Sequence, residues 1–196
     1  KFHYKPEKNY KKLFNWTIKN PKLFWTSIWE FSNIKGIKND KFHFPKEIFK
    51  SKFLVKSKLN YAENLLSKKD NSKAVTFISE NGYREEKSWK ELNINSLKLV
   101  RFFIENKIKE KDRIAAYTAN QIETVESFIA TSALGAIWSS CSPDFGTQGV
   151  IERFSQIKPK VLFISDQYFY NGKKINVTNR LPKILKLIPS IKNIVI

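Results

Sequence analysis

From Lys111 onward, short apolar runs alternate with segments whose apolar positions recur every three or four residues. Arg113-Ile-Ala-Ala-Tyr-Thr118, Ala136-Ile-Trp-Ser-Ser-Cys141, Lys160-Val-Leu-Phe-Ile-Ser165 and the run from Ile191 to Ile196 read as strands buried on both faces. Between them, Ile122, Val125, Phe128, Ile129 and Ala133 mark a helix that closes at Gly135. Thr147 to Ile157 marks a second helix stopped before Pro159, and Leu181 to Ile188 a third. Four such strands with helices between them predict an α/β fold, a mostly parallel sheet covered by helices.

Upstream the pattern changes. Tyr10, Phe14 and Ile18 recur at helical spacing, and Asn20-Pro21 ends that helix and starts another. Phe24, Trp25, Ile28, Trp29 and Phe31 continue the second helix toward Gly36, and the stretch from Asp40 to Leu59 is irregular. The segment from Leu59 to Leu66 reads as a short helix. Next, Ala74–Ser79 and Tyr83–Lys87 flank Asn81-Gly82, a strong hairpin signal. Ser88 with Glu91 three residues later forms a capping box for a helix carrying Trp89, Leu92, Leu97, Val100, Phe103 and Ile104 on one face. The chain thus divides into a helical arm over residues 1–66 and an α/β part over 67–196.

Composition narrows the class of protein. Apolar residues make up 41% and aromatics 14%, enough material for a core, so the chain is not a disordered one. The net charge of +18 raises the question of nucleic acid. Only five of the 36 basic residues are arginines, however, namely Arg84, Arg101, Arg113, Arg153 and Arg180, and the lysines are scattered. A nucleic-acid reader would favour the bidentate arginine fork, so no nucleic-acid partner is expected. The longest charge-free run, Ser127 to Pro143, carries six Ser and Thr residues and falls short of the ~20 apolar residues of a membrane span, so no membrane partner is expected either. Cys141 is the single cysteine, which fits a reducing, cytoplasmic compartment. Neither end reads as a natural terminus. There is no Met, and the last residues are a strand, so the chain is expected to be part of a longer one.

Candidate chemistry is sparse. Ligands of an open parallel sheet bind beyond the carboxyl ends of its strands, here Thr118–Asn120, Ser142–Gly146 and Asp166–Gly172. Asp144 and Asp166 are the ionisable groups at these places, and helix N-caps or turns account for both. No G-x-G-x-x-G, no phosphate loop of the G-x-x-x-x-G-K-[ST] type and no G-x-S-x-G elbow occurs. His3 and His43 lie in the arm, Cys141 has no evident His partner, and no metal-ligand spacing is present. These residues establish an α/β domain and leave its function open, a non-catalytic flavodoxin-like binding module included.

Several segments resemble the acetoacetyl-CoA synthetases, a family of adenylate-forming enzymes. They are Phe24-Trp-Thr-Ser-Ile-Trp-Glu-Phe31, Leu59-Asn-Tyr-Ala-Glu-Asn-Leu-Leu66, Trp138-Ser-Ser-Cys-Ser-Pro-Asp-Phe-Gly146, Arg153-Phe-Ser-Gln-Ile157, Lys160–Ile164 and Tyr170-Asn-Gly-Lys173. The resemblance implies that residues 67–196 are the first part of an AMP-binding, or adenylation, domain. It implies ligation of acetoacetate to coenzyme A with ATP and Mg²⁺, through an acyl-adenylate, pyrophosphate leaving first and AMP second. Acetyl- and propionyl-CoA synthetases share the architecture but carry a Gly-rich stretch in place of Ser-Ser-Cys-Ser-Pro-Asp. The family's phosphate loop and catalytic lysine are expected beyond Ile196. No catalytic residue is therefore expected in this segment, which should be inactive alone and have the rest of its own chain as its partner. In relatives, an Arg-x-Gly-Arg turn helps bind the nucleotide end of coenzyme A. The matching positions here are Tyr170, Asn171, Gly172 and Lys173, which also read as an Asn-Gly surface turn.

Overall fold

The computed structural model describes residues 9–196, so His3 lies outside the described residues. Two compact units divide at Asn60/Tyr61. The first contains helix α1, Tyr10–Lys19, and helix α2, Pro21–Phe31. Asn9 caps α1 by accepting from the Lys12 N–H, and Pro21 opens α2 where its missing N–H costs nothing. Beyond α2 the chain is irregular, tied by bridges Ile37–Lys58 and His43–Lys52 and by edge-on contacts of Phe53 with Trp25 and Phe44.

The second unit starts with helix α3, Tyr61–Leu65, and a hairpin of β1, Lys73–Ile78, and β2, Arg84–Ser88. Helix α4, Trp89–Glu105, follows with the expected capping box: the Glu91 N–H donates to Ser88 Oγ at 3.2 Å and the Ser88 N–H to the Glu91 carboxylate at 2.8 Å. Its buried face runs through Leu92, Ser96 and Phe103. Leu97 and Ile104, expected on that face, are 60% exposed. At 100° per residue both point about 100° to 120° from the buried line, so spacing alone drew the stripe too wide. Ala62, Leu66, Leu92 and Ile129 close a small core beneath α3 and α4.

Four parallel strands form the main sheet in the order β4-β3-β5-β8: β3 Arg113–Tyr117, β4 Ile137–Cys141, β5 Val161–Ile164 and β8 Asn193–Val195. Helix α5, Ile122–Ala133, joins β3 to β4, and helix α6, Thr147–Ile157, joins β4 to β5. Helix α7, Leu181–Leu187, precedes β8. Strand residues alternate between two cores. Ile114, Ala116, Val161 and Phe163 meet Phe103 of α4 and Ala130 of α5. Ala115, Tyr117, Leu162 and Ile164 meet Val150 and Phe154 of α6 and Ile184 of α7. Period-two alternation with both faces apolar is what a covered parallel sheet requires. Gly135 ends α5 at φ +73, and the Ala136 and Gly135 N–H groups return to the Thr131 and Ser132 carbonyls, a Schellman closure that glycine makes without strain.

One pair of strands was not expected. Between β5 and α7 lies an antiparallel hairpin of β6, Gln167–Tyr170, and β7, Lys173–Asn176, across Asn171-Gly172. Asn171 at φ 50 and Gly172 at φ 71 give the two left-handed residues of a type I′ turn.

Candidate functional site

The chain goes from β3 to β4 on one side, then returns past β3 to β5 and β8 on the other. The reversal between β3 and β5 is where an open parallel sheet leaves a crevice at its carboxyl end. The structure has an open cleft of about 370 Å³ there, walled by Thr118–Asn120 after β3, Ser142–Asp144 after β4, and Tyr168 and Tyr170 of β6. A second cleft of about 450 Å³ adjoins it, between the β1–β2 turn and Gln167–Phe169. Both share Ala119, Asn120 and Tyr168. The Ala119 N–H donates to Ser165 Oγ at 3.1 Å, and Thr124 Oγ1 donates to the Ala119 carbonyl at 2.8 Å. The first bond ties the loops after β3 and β5 together at the reversal, and the second fixes the loop after β3 to the start of α5.

Asp144 faces the first cleft, but not as a helix cap. Gly146 occupies the cap position of α6 with no side-chain bond. The Asp144 carboxylate instead accepts from Ser142 Oγ and from the Tyr168 hydroxyl, both at 2.9 Å. Burial raises the Tyr168 hydroxyl above the ordinary tyrosine value, and the bond to Asp144 raises it further, so Tyr168 remains the donor. Asp166 occupies a turn: its carboxylate accepts from the Gln167 N–H at 2.7 Å and its carbonyl from the Val177 N–H at 2.9 Å. Asp144 is thus held through both carboxylate oxygens and Asp166 through one.

Beneath the Ser142–Gly146 loop lies a polar knot that the sequence did not suggest. Tyr117, at the end of β3 and fully buried, points its hydroxyl at the Pro143 and Phe145 carbonyls. Arg180, from the 3-10 turn Thr178–Arg180, donates through one guanidinium nitrogen to the Tyr117 oxygen, to the Pro143 carbonyl at 2.9 Å and to the Phe145 carbonyl at 3.0 Å. Burial raises the Tyr117 hydroxyl despite the Arg180 charge, so it stays protonated at neutral pH. The Phe145 ring lies under the Arg153 guanidinium at 4.5 Å. Cys141 is buried, and that burial pushes its thiol up, away from nucleophilic thiolate character.

The Tyr170–Lys173 turn stands at the hairpin tip with all four residues exposed. Its two central N–H groups are already occupied: Glu80, in the β1–β2 turn, accepts from the Asn171 N–H at 3.0 Å and from the Gly172 N–H. An anion thus sits on the turn's backbone donors, supplied by the chain itself. Lys173 adds an exposed ammonium beside it. The turn can present charge to a phosphate, whereas its amides can do so only if Glu80 moves away. Among the described residues no cluster of three or more His, Cys, Asp or Glu could hold a metal ion, and no helix is long and apolar enough to cross a membrane.

Sequence reasoning missed Tyr117, Tyr168, Arg180 and Glu80. Two signals were present. Arg180 belongs to a rare residue type in this lysine-rich chain, and Tyr168 and Tyr170 alternate as same-face residues of a strand.

Comparison with known proteins places these features in a family. The sequence model of the AMP-binding enzymes matches residues 63–196. Acetoacetyl-coenzyme A synthetase of Rhizobium meliloti (strain 1021) is 36% identical over 91% of this chain and 28% of its own length. Acetoacetyl-CoA synthetase of Gallus gallus is also 36% identical, over 96% of this chain and 29% of its own length. A malonamoyl-CoA synthetase of Penicillium aethiopicum is 30% identical over 96% of this chain. The solved acetoacetyl-CoA synthetase from Streptomyces lividans superposes with a TM-score of 0.86 at 26% identity, covering 96% of this chain and 30% of that one. The chain therefore spans less than a third of the length of these relatives. With its matched segment covering most of the chain and all four strands of the parallel sheet, the chain belongs to the AMP-binding enzyme family.

Proposed function

We propose that the chain is the N-terminal part of an ATP-dependent acid–CoA ligase that converts acetoacetate, ATP and coenzyme A to acetoacetyl-CoA, AMP and pyrophosphate. The carboxylate oxygen bonds to the α-phosphorus of ATP as pyrophosphate leaves. The coenzyme A sulfur then bonds to the acyl carbon as AMP leaves with the electron pair. The observation that carries this reading is the run of acetoacetyl-CoA synthetases matched over more than nine-tenths of the chain at about one-third identity. The malonamoyl-CoA synthetase similarity sharpens it, because malonamate and acetoacetate both carry a carbonyl two carbons from the carboxylate. The proposed substrate class is a short acid with that second carbonyl, in place of acetate or propionate.

Within that reaction the segment contributes shape. The cleft above the β3–β5 reversal forms a wall of the ligand site, and Tyr170, Asn171, Gly172 and Lys173 form the coenzyme A contact, with Lys173 supplying a charge to phosphate. Coenzyme A supplies the thiol nucleophile and Mg²⁺ offsets charge on the phosphates. The segment is proposed to be inactive alone, with the reacting groups supplied by the rest of the polypeptide. The test is pyrophosphate release by the complete polypeptide that carries this segment. Release should depend on acetoacetate and exceed that with acetate or propionate at least about tenfold, the factor that one net hydrogen bond of about 1.4 kcal/mol gives. Equal release from all three acids would remove the acetoacetate assignment, and none from any would remove the ligase.

A further inference from the structure

We propose that Arg180 is a positioning residue for the coenzyme A step, fixing the Ser142–Gly146 loop against the β6–β7 hairpin so that two walls of the cleft stand as one body. The inference rests on the ligase reading and adds a residue that reading does not contain. The loop's internal bonds all run from or to Ser142: the Phe145 N–H donates to its carbonyl at 3.1 Å, its Oγ donates to the Asp144 carboxylate at 2.9 Å, and the Asp144 N–H donates to that Oγ at 3.4 Å, so none of them ties the loop to the hairpin. Its Pro143 and Phe145 carbonyls turn inward and converge, with the Tyr117 oxygen, on a single guanidinium nitrogen. That nitrogen carries two protons for three acceptors, so the bonds are shared. Without it, two inward carbonyls would compete for the one Tyr117 proton, and one would lose its partner within the protein.

Arg180 follows β7 closely, so it holds the loop from the hairpin's own strand end. Tyr168 of β6 makes the second link, to Asp144. The hairpin that carries Tyr170–Lys173 and the loop that carries Asp144 are thereby joined at two points, and Tyr168, Tyr170 and Asp144 all line the same cleft. A ligand spanning from the turn into the cleft meets walls whose separation is set before it arrives. Losing that preset geometry weakens its binding, because the walls must then be ordered as the ligand binds.

The experiment uses the complete protein with acetoacetate. Arg180→Met removes every donor while keeping an apolar stem, and Arg180→Lys restores the positive charge and its donors. For Arg180→Met the KM for coenzyme A should rise about tenfold, with kcat and the KM values for ATP and acetoacetate within about twofold, and Arg180→Lys should recover most of the loss. An unchanged coenzyme A KM in Arg180→Met, or an equal rise for all three substrates, overturns the proposal. If the wild-type protein turns over no acid, the ligase reading fails separately. The positioning role is then read by amide hydrogen exchange: Arg180→Met must speed exchange at Phe145, and unaltered exchange there overturns it.

Discussion

Below the cleft, Ile114, Leu162, Phe154 and Ile184 hold the parallel sheet between its helices by apolar burial, each fully or almost fully shielded from water. Around the rim, Arg180, Tyr168 and Glu80 hold a loop and two hairpins by hydrogen bonds, and several of these groups remain open to solvent. The sheet is a packed body that any sequence of suitable volume and pattern could form. The rim depends on particular donors meeting particular carbonyls. The difference separates what keeps the segment folded from what shapes its ligand side. Changes in the core should cost stability without selecting a substrate, and changes in the rim should do the reverse.

The largest break in that comparison comes from the core. Phe154→Ala deletes a fully buried ring between α6 and the sheet and should destabilise the complete protein by about 3–5 kcal/mol in urea unfolding. The fraction still folded should keep its coenzyme A KM. Next is a polar contact that acts like core. Lys87 of β2 lies 3.3 Å from Glu126 of α5, whose side chain is 6% exposed. Burial alone would lower the Lys87 ammonium, but Glu126 and Glu123 outweigh it and the net shift is upward. The stabilisation is therefore complete below the ordinary lysine value and lost as pH rises through the raised one. Lys87→Met leaves Glu126 with Asn95 as its remaining partner, at 2.8 Å, and should cost about 1–3 kcal/mol at neutral pH by the same unfolding measurement.

Smaller effects sharpen the rim side. Tyr117→Phe removes one hydroxyl from the knot while Arg180 keeps both carbonyls, so it should cost about 1 kcal/mol in unfolding and less coenzyme A affinity than Arg180→Met. Glu80→Ala should leave the unfolding midpoint almost unmoved, since the contact is exposed, yet speed amide exchange at Asn171 and Gly172. Unaltered exchange at both would show that the two hairpin turns are independent. A further small effect is at the opposite end of the sheet. Burial alone would raise the Asp112 carboxyl, but Lys160 at 2.8 Å and the Lys109 N–H at 2.9 Å outweigh it and hold the carboxyl below its ordinary value. Its contribution is present above the ordinary carboxylate value and disappears as pH falls through the lowered one. The stability gap between wild type and Asp112→Asn, under about 1 kcal/mol, should therefore narrow as pH falls below the ordinary carboxylate value and close below the lowered one.

The core was legible in sequence because burial on two faces writes itself as continuous apolar runs. β3, β4 and β5 lie within one or two residues of the segments read as strands, and α6 begins at Thr147 and ends at Ile157 as its spacing required. The Ser88 and Glu91 capping box was equally legible, since both halves lie within three residues. The rim was not. Strands of four residues, half exposed, as β6 and β7 are, carry too few alternations to register. The same Asn-Gly dipeptide was read as a hairpin at Asn81-Gly82 and as a plain turn or ligand contact at Asn171-Gly172, although the structure builds a hairpin at each. Asp144 read as a cap or a turn and lies in a turn, but only the fold reveals Tyr168, 24 residues away, as its partner. Arg180 reaches carbonyls 35 and 37 residues away, and no local pattern encodes that distance.

The most direct test of the account is a competition. The complete protein is given equal acetoacetate, acetate and propionate with ATP, Mg²⁺ and coenzyme A, and the thioesters are resolved by mass. Acetoacetyl-CoA should exceed the other two together by about tenfold or more. Acetyl- or propionyl-CoA in excess, or no thioester at all, would contradict it.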